Sequence, residues 1–226
     1  MGPAPDAVSG LRPGIVVGLK AEARALAPAS PWPIAVAGGD ARRAGELARA
    51  LAARGATALF SMGLAGGLDP ALRPGDVVLA DAVTAPGGAS FSCDGALRER
   101  VAARLGMSVA FGRVAGSDGM VTDVAAKRAL GAATGAVAVD MESHGLAEAA
   151  AALGVPFAVL RVVIDPAGRA VPRAATLGMD AEGNARPLRV ALALARRPGD
   201  LPGLLALGRD NARAMKVLAR IGAALA

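Results

Sequence analysis

Residues 136–165 read "AVAVDMESHGLAEAAAALGVPFAVLRVVID", and this order of strand, helix and strand indicates the fold class. The apolar run ends as a strand at Asp140, residues 141–153 have helical periodicity, and residues 157–165 form a strongly apolar strand. Continuous apolar strands that alternate with helices are typical of a largely parallel sheet covered on both faces. The stretch therefore predicts an α/β protein with three layers, α/β/α, around a central mixed, mostly parallel sheet.

The same alternation extends through the rest of the chain. Short buried strands are predicted at 14–18, 33–38, 57–63 and 75–83, and helices at 20–27, 40–55, 94–105 and 123–133. We expect a glycine turn, "LAGGLDP", after the strand at 57–63, and one long loop at 166–185 of a length that is often functional. The length of 226 residues predicts a single domain, 1–226, that ends in a basic amphipathic helix at about 201–226.

Composition excludes several classes of protein. A hydrophobic content of 54% with 30 glycines and 15 prolines indicates a packed globular protein with tight turns. A single cysteine, Cys93, excludes an intramolecular disulfide and a cysteine–histidine metal cluster, so we expect a reducing, cytoplasmic location and no metal. The first 14 residues lack the pattern of a signal peptide, and no apolar run is long enough to predict a membrane span.

Carboxylates follow three of the predicted strands. Glu22 comes after the first strand, Asp140 and Glu142 flank a methionine after the apolar run at 136–139, and Asp165 ends the strand at 157–165. Because ligands of such sheets bind beyond the carboxyl ends of strands, these side chains are candidates for a common site. Three of them have a simpler interpretation, which stays open. Glu22 could be a solvated first-turn residue, Asp140 a helix cap and Asp165 a loop cap.

The chain resembles the nucleoside phosphorylase and nucleosidase superfamily, whose members cleave the bond between ribose and base. The matching segments extend over nearly the whole chain: "VVGLKAEA", "SMGLAGGLDPALRPGDVVLADAV", "GSDGMV", "VAVDMESHG" and "FAVLRVVID". The segments "GLAGGLDP", "VDMESH" and "RRPGDLPGLLALGRD" are most similar to the hopanoid-biosynthesis-associated phosphorylases. That resemblance implies a nucleoside phosphorylase-like fold and the substrate adenosylhopane, a triterpenoid joined to the 5′ carbon of adenosine.

The resemblance also implies roles for individual residues. Glu142 would accept hydrogen bonds from the ribose hydroxyls, Met141 would lie against the ribose, and Asp165 would promote protonation of the departing purine. Other residues at substrate-binding positions of the family pattern are Met120, Val121, Ala65 and Gly66. For His144 we favour a structural role. The partners implied are a small-molecule nucleoside, free or lipid-linked, and further copies of the chain in a homodimer or larger assembly, with no nucleic acid.

The resemblance leaves the nucleophile open. Phosphorylases of the family bind phosphate through an arginine and a serine at positions that here read Ser61 and Leu64. Hydrolytic members use a glutamate after the first strand to activate water, and Glu22 matches that position, so we favour water and no cofactor. Phosphorolysis, with phosphate as co-substrate and Lys20 or Arg24 as the cation, is the alternative. A methylthioadenosine or adenosylhomocysteine nucleosidase is another alternative, whereas a non-enzymatic binding module would not need Glu22, Glu142 and Asp165 together.

The predicted C-terminal helix carries most of the excess charge. Residues 186–226 hold eight basic and two acidic residues, a balance of +6 that equals the net charge of the chain. The basic residues Arg209, Arg213, Lys216 and Arg220 form one stripe on a helix, opposite Leu204, Leu207, Leu218, Ile221 and Leu225. Such a helix either covers the core with a solvated basic face or also makes peripheral contact with anionic lipid at the inner membrane surface.

Overall fold

A computed structural model of the chain describes residues 10–177 and 186–226. The strands are β1 (Pro13–Val17), β2 (Ile34–Val36), β3 (Ala58–Gly67), β4 (Val77–Thr84), β5 (Ser90–Ser92), β6 (Ala110–Gly116), β7 (Ala136–Asp140) and β8 (Phe157–Asp165). The helices are α1 (Lys20–Leu26), α2 (Ala41–Ala53), α3 (Gly95–Leu105), α4 (Val124–Thr134), α5 (Ser143–Leu153), α6 (Arg173–Thr176), α7 (Pro187–Arg196) and α8 (Leu201–Leu225). A 3₁₀ turn, Pro198–Asp200, joins α7 to α8.

The strands form one mixed sheet in which parallel pairs predominate. Parallel pairing joins β1 to β2 and β3, β3 to β8, and β6 to β4 and β7. Antiparallel pairing joins β3 to β7 and β4 to both β5 and β8. The pairings of β3, β8, β4, β6 and β7 close a ring of five strands, while β2, β1 and β5 extend it at the sides. The predicted mixed, mostly parallel sheet is confirmed.

Helices cover the sheet on both faces, as the sequence predicts. One core cluster packs small residues of α2 and α5, such as Ala48 and Ala147, against one face of the central strands. The other packs α1, α3 and α8, through residues such as Leu26, Val101 and Leu218, against the opposite face. The three-layer α/β/α fold is therefore confirmed, and none of the described helices is long and apolar enough to cross a membrane.

The structure corrects three of the predicted elements and adds elements that were not predicted, among them β5, β6 and α7. The "LAGGLDP" segment is not a turn throughout: β3 continues to Gly67 because its glycines pair with β7 and β8. The helix predicted at 141–153 begins at Ser143. The predicted loop at 166–185 contains the short helix α6, while residues 178–185 lie outside the described part. Strand β6 was not predicted, because its polar and glycine positions, such as Gly112 and Arg113, conceal the pattern.

Helix α8 spans nearly the range predicted for the C-terminal helix. Ala214, Leu218, Ile221 and Leu225 are buried on one side, whereas the four basic residues of the stripe are exposed on the other. Leu204 and Leu207, which were expected on the covered side, are only half-buried because they lie near the start of the helix. The expectation that residues 1–226 form one domain stays a prediction, since residues 1–9 and 178–185 are not described.

Candidate active site

Two of the candidate carboxylates, those of Glu22 and Glu142, lie beside glycines at the level of Gly63, in the middle of β3. Arg161 of β8 pairs with Gly63 across the sheet, and the register of β1 against β3 brings Gly18 to the same level. Strand β7 runs antiparallel to β3, with Val139 opposite Gly66 and Ala138 opposite Gly67. The chain after β7 therefore returns along β3 toward Gly63, and the carboxylate of Glu142 lies against Gly18.

A fully buried arginine is the centre of this cluster. Arg161 donates from Nε to Asp140 and from Nη2 to Ser61 Oγ at 2.5 Å and to Ser143 Oγ at 2.9 Å. Its Nη2 also lies 3.8 Å from Glu142 Oε2. Burial would lower the pKa of Arg161, but the surrounding carboxylates outweigh this effect and raise it. Arg161 is therefore a permanent cation inside the protein, and its charge is already shared by several acids.

Glu22 is buried and points inward from the first turn of α1. Its Oε1 accepts a hydrogen bond from the backbone N–H of Leu64 at 2.8 Å, and its Oε2 accepts one from Leu19 at 2.8 Å. Burial raises the pKa of Glu22, while Arg161 and these backbone donors oppose the shift. The interpretation of Glu22 as a solvated residue is wrong, because only 3% of its surface is exposed. A buried carboxylate whose pKa is raised is suited to accept a proton.

Glu142 is the least satisfied carboxylate of the cluster. Burial raises its pKa to about 8; Arg161 opposes the shift, whereas Asp140 and Glu22 add to it. The ion pair of Arg161 with Asp140 is closer than the one with Glu142, which explains why Glu142 gains less from the guanidinium. A buried carboxyl group with spare hydrogen-bonding capacity is suited to bind hydroxyl groups of a ligand.

Asp165 lies in a second group of charges at the end of β8. A β-bulge in the β3–β8 pairing places it opposite Gly66, and a Cβ at Gly66 would lie 3.5 Å from both Asp165 carboxylate oxygens. Asp165 accepts a hydrogen bond from Nζ of Lys127, which is itself fully buried in α4. Burial raises the pKa of Asp165, and Lys127 and Arg169 oppose that shift.

The remaining predicted site residues lie around these two groups with different exposure. Met141 is half-buried, and its Cε would lie 3.5 Å from a Cβ at Gly39. Met120 is 46% exposed, whereas Val121 packs against a small apolar cluster that includes Leu68 and Val139. Ala65 belongs to the core cluster next to α2 and α5, so its side chain serves packing. These positions are compatible with substrate contact, and their assignment to substrate binding stays a prediction.

The contacts of His144 fit the structural role favoured for it. Its Nε2 lies 3.2 Å from Asp118 Oδ1, in the loop that follows β6, and the imidazole packs directly on Gly116. These contacts connect α5 to the loop that carries Met120. His144 therefore positions that loop and lies outside the cluster around Arg161.

Sequence reasoning did not identify Arg161, Lys127 or Ser143. Arg161 had a signal, because a single arginine inside the otherwise apolar stretch "FAVLRVVID" needs buried acidic partners. Lys127 had none, since a lysine in a helix with an exposed face reads as solvated. Ser143 bridges Asp140, Ser61 and Arg161 through its hydroxyl, and it was concealed next to the more conspicuous Glu142.

Metal-dependent and thiol chemistry receive less support from the structure. The described residues contain no group of three histidine, cysteine or acidic side chains able to hold a metal ion. Burial raises the pKa of the Cys93 thiol to about 12, which keeps it an inert thiol. A surface depression lined by Phe91, Asp94 and Val155 lies away from Gly63 and contains none of the converging carboxylates.

Comparisons with known proteins define the family. Residues 38–196 match the model of the phosphorylase superfamily, so the chain belongs to this superfamily. Membership confirms the expected fold and the expectation of an enzyme that acts on nucleosides. No curated protein sequence matches the chain significantly.

Solved structures share the fold at low sequence identity. A 5′-methylthioadenosine/S-adenosylhomocysteine nucleosidase from Neisseria meningitidis has a TM-score of 0.66 at 20% identity, over 94% of this chain and 99% of that one. An S-adenosylhomocysteine nucleosidase from Streptococcus pyogenes has a TM-score of 0.65 at 17% identity, over 100% of both chains. A futalosine hydrolase mutant from Helicobacter pylori has a TM-score of 0.61 at 18% identity, over 68% of this chain and 89% of that one.

Proposed function

We propose that the protein hydrolyses the N-glycosidic bond of a 5′-substituted adenosine and releases adenine. The observation that carries this proposal is the convergence of Glu22 and Arg161 on Gly63, with Glu142 against Gly18 at the same level and Asp165 three β-bridges further along β3. During cleavage the sugar gains positive charge and the base gains negative charge. The acids around Arg161 would assist the sugar, and Asp165 with Lys127 would assist the base at a separate place. The similarity of fold to methylthioadenosine and adenosylhomocysteine nucleosidases supports the same class of substrate.

The carboxylates assist the sugar during bond cleavage. Glycosidic cleavage passes through a sugar with oxocarbenium character, so positive charge develops on the ribose. In the proposed mechanism Glu142 accepts hydrogen bonds from the ribose hydroxyls, and Met141 lies against the ring. Hydrogen bonds from the ribose hydroxyls favour the ionised form of Glu142 in the complex, and that carboxylate stabilises the developing charge more strongly than it stabilises the ground state. Asp165 supplies a proton to a ring nitrogen of the purine, so that the base departs neutral.

The charged groups around Gly63 favour water over phosphate as the nucleophile. A Cβ at Gly63 would lie 2.7 Å from Glu22 Oε1 and 2.8 Å from Arg161 Nη1, so both groups face the same space. Nη1 of Arg161 has no hydrogen-bond partner among the described residues and can hold a water oxygen while Glu22 takes its proton. The guanidinium of Arg161 is already paired with Asp140 and Glu142, so it has little charge left to balance a phosphate. Lys20 and Arg24 are exposed, whereas Glu22 is buried.

The particular substrate we infer is adenosylhopane, on the basis of the sequence segments "GLAGGLDP", "VDMESH" and "RRPGDLPGLLALGRD". Its apolar part would lie in a bilayer, so the enzyme would have to reach it at the membrane surface. Helix α8 presents a suitable face: the exposed Leu201 and Leu205 lie within about 120° of the basic stripe around the helix axis. Methylthioadenosine or adenosylhomocysteine is the second candidate substrate, supported by the nucleosidases that share the fold. We also propose a homodimer or larger assembly.

Product analysis tests the proposed reaction. The protein is incubated with 5′-methylthioadenosine in ¹⁸O-labelled water, with and without phosphate, and the sugar product is examined by mass spectrometry. We expect one ¹⁸O atom in the sugar, a rate independent of phosphate and loss of turnover in Glu22→Gln. A ribose-1-phosphate product would overturn hydrolysis and support phosphorolysis.

A substrate series tests the 5′ substituent. Adenosines with 5′-alkylthio chains of increasing length are compared at equal concentration in detergent. Values of kcat/KM that rise with chain length support a lipid-linked substrate. A maximum at the methylthio or homocysteinyl compound would instead support the second candidate substrate.

A further inference from the structure

Lys127 is a fully buried lysine beside the proposed acid. Its ammonium donates to the Asp165 carboxylate, to the carbonyl oxygen of Pro166 at 3.1 Å and to that of Arg169 at 2.9 Å. All three hydrogen-bonding positions of the ammonium are therefore used. A lysine is rarely buried completely, because desolvation of its charge is costly unless an acid compensates it. An apolar side chain at this position of α4 would avoid the cost of desolvating a charge, so the lysine needs a functional explanation.

The charged groups that face this pair come from three parts of the fold. Asp165 belongs to β8, Arg169 to the loop after β8, and Asp210 to α8, where it forms an ion pair with Arg169. Asp123 caps the start of α4 through the backbone N–H of Ala126 and is exposed. Arg169 forms its ion pair with Asp210, and among the described residues Lys127 is the one that forms an ion pair with Asp165.

This arrangement creates a difficulty for a proton-donating Asp165. A carboxylate that accepts a hydrogen bond from an ammonium is ionised, and the proton it needs is held by the nitrogen. Asp165 can therefore protonate the purine only if a proton reaches it during the reaction. The nearest proton is the one that Nζ of Lys127 already donates to the Asp165 carboxylate.

We propose that Lys127 holds the proton that Asp165 delivers to the departing base, an inference that rests on the hydrolytic function proposed above. The proton moves from Nζ of Lys127 to the carboxylate as Asp165 gives a proton to a purine ring nitrogen. The electron pair of the C–N bond leaves with the base, and water forms the new bond to the sugar carbon. Water loses one proton to Glu22, so Lys127 has lost one proton and Glu22 has gained one. Exchange with solvent after product release restores both groups.

The proposal predicts a change in pH dependence when Lys127 is removed. A proton held between Lys127 and Asp165 remains available to the departing base, so the parent enzyme keeps its activity on the alkaline side. Without Lys127, Asp165 must carry the proton alone, and the fraction protonated falls as pH rises above its pKa. The ratio of kcat/KM between parent and variant should therefore grow with pH, approaching about tenfold per pH unit.

The experiment measures kcat/KM from pH 5 to pH 9 for Lys127→Met and Lys127→Gln. Glutamine keeps a donor toward the carbonyl oxygens of Pro166 and Arg169, so it serves where the methionine variant does not fold. Arg128→Met is the matched control, because it removes a neighbouring charge that is exposed on the same helix. Both Lys127 variants are expected to lose most activity at alkaline pH and least at pH 5, whereas Arg128→Met keeps the parent profile.

The alternatives give different results. A Lys127 variant with the parent pH profile, or one with an equal loss at every pH, would overturn the proposal and indicate a structural role. In an Asp165→Asn background, Lys127→Met should cause no further loss, because the proton no longer has a carrier. Full activity of Asp165→Asn alone would instead overturn the function assigned to Asp165, which separates the two failures.

Discussion

At the scale of single residues, three carboxyl groups of the site, those of Asp140, Glu142 and Glu22, surround one guanidinium, that of Arg161. Asp140 accepts the direct hydrogen bond from Nε of Arg161, backbone N–H groups donate to Glu22, and Glu142 has a longer ion pair with Arg161. Each carboxylate that remains ionised raises the cost of ionising the next, since all lie in a buried environment. The protein therefore has a permanent cation at Arg161 and a carboxyl group, Glu142, whose charge depends on pH.

Replacement of Glu142 by glutamine tests both its role and its ionisation. We expect kcat to fall about 100-fold or more, because an interaction that strengthens in the transition state is lost. Native Glu142 keeps its proton up to about pH 8, whereas the unfolded carboxyl loses it near its usual value. The parent protein therefore loses stability as pH rises through this window, and the glutamine variant does not.

The measurement is the difference in Tm between Glu142→Gln and parent at pH 5 and pH 8. This difference should shift in favour of the variant at the higher pH. Glu148→Gln, on the exposed side of the same helix, should follow the parent at both values. A difference that stays constant with pH would show that Glu142 is not protonated in the folded state.

Gly63 is a position of the candidate site at which a side chain is not tolerated. Its φ of 152° lies in a region that favours glycine, and a Cβ there would overlap with Glu22 and Arg161. Gly63→Ala should cost at least about 1–3 kcal/mol in unfolding free energy and abolish turnover. Gly95→Ala is the control, since nothing lies within 4 Å of a Cβ at that position. Chemical denaturation and product release measure both effects, and a fully active Gly63→Ala variant would contradict the proposed site.

At the scale of elements, strand β3 organises the site. Its alternate residues Leu59, Ser61 and Ala65 face the core cluster next to α2 and α5, and Arg161 lies on the same side of β8. A serine and an arginine thus replace apolar residues at the middle of a buried face. The start of α5 then covers them with Ser143 and Glu142, which are needed as partners because a buried charge cannot stay uncompensated.

Helix α8 is held by its buried side rather than by its charges. Leu218 is fully buried against the sheet, so Leu218→Ala should reduce the free energy of unfolding by about 2–5 kcal/mol. Leu205 is 52% exposed on the same helix, so Leu205→Ala should change it by less than about 0.5 kcal/mol. Urea denaturation of both variants checks the contrast. Equal losses would mean that the two faces of α8 are covered alike.

At the scale of the whole molecule, the excess positive charge lies in the segment that forms α7 and α8. Residues 186–226 carry the full excess of +6, and the exposed leucines Leu188 and Leu192 of α7 accompany Leu201 and Leu205 of α8. Exposed apolar side chains beside basic ones are suited to an anionic bilayer, since each basic residue near the surface contributes about 1 kcal/mol. This surface supports the proposed access to a lipid-linked substrate.

Liposome co-sedimentation tests the proposed membrane contact. The parent protein should bind vesicles that contain phosphatidylserine at low salt and dissociate as salt increases. The variant with Arg209, Arg213, Lys216 and Arg220 changed to glutamine should lose binding and still cleave soluble adenosines at the parent rate. A parent protein that ignores anionic vesicles at low salt would show that the basic stripe is only a solvated face.

The sequence by itself determined the fold class and most of the elements. Apolar runs such as the one at 157–165 and helical stretches such as 141–153 differ in period, and a local period is readable without knowledge of the fold. The covered side of α8 was readable for the same reason. The carboxylates Glu22, Glu142 and Asp165 stood out because charged residues directly after buried strands are conspicuous, although their roles stay predictions.

Only the tertiary structure decided which charges face one another. The return of β7 along β3 brings Glu142 against Gly18, and the pairing of β3 with β8 brings Arg161 beside Ser61. Lys127 reaches Asp165 from a helix 38 positions earlier in the chain. Compensation of a buried charge is a property of distance in space, and residues far apart in sequence carry no local sign of it. The sequence therefore shows the acids, and the fold shows which cation each of them faces.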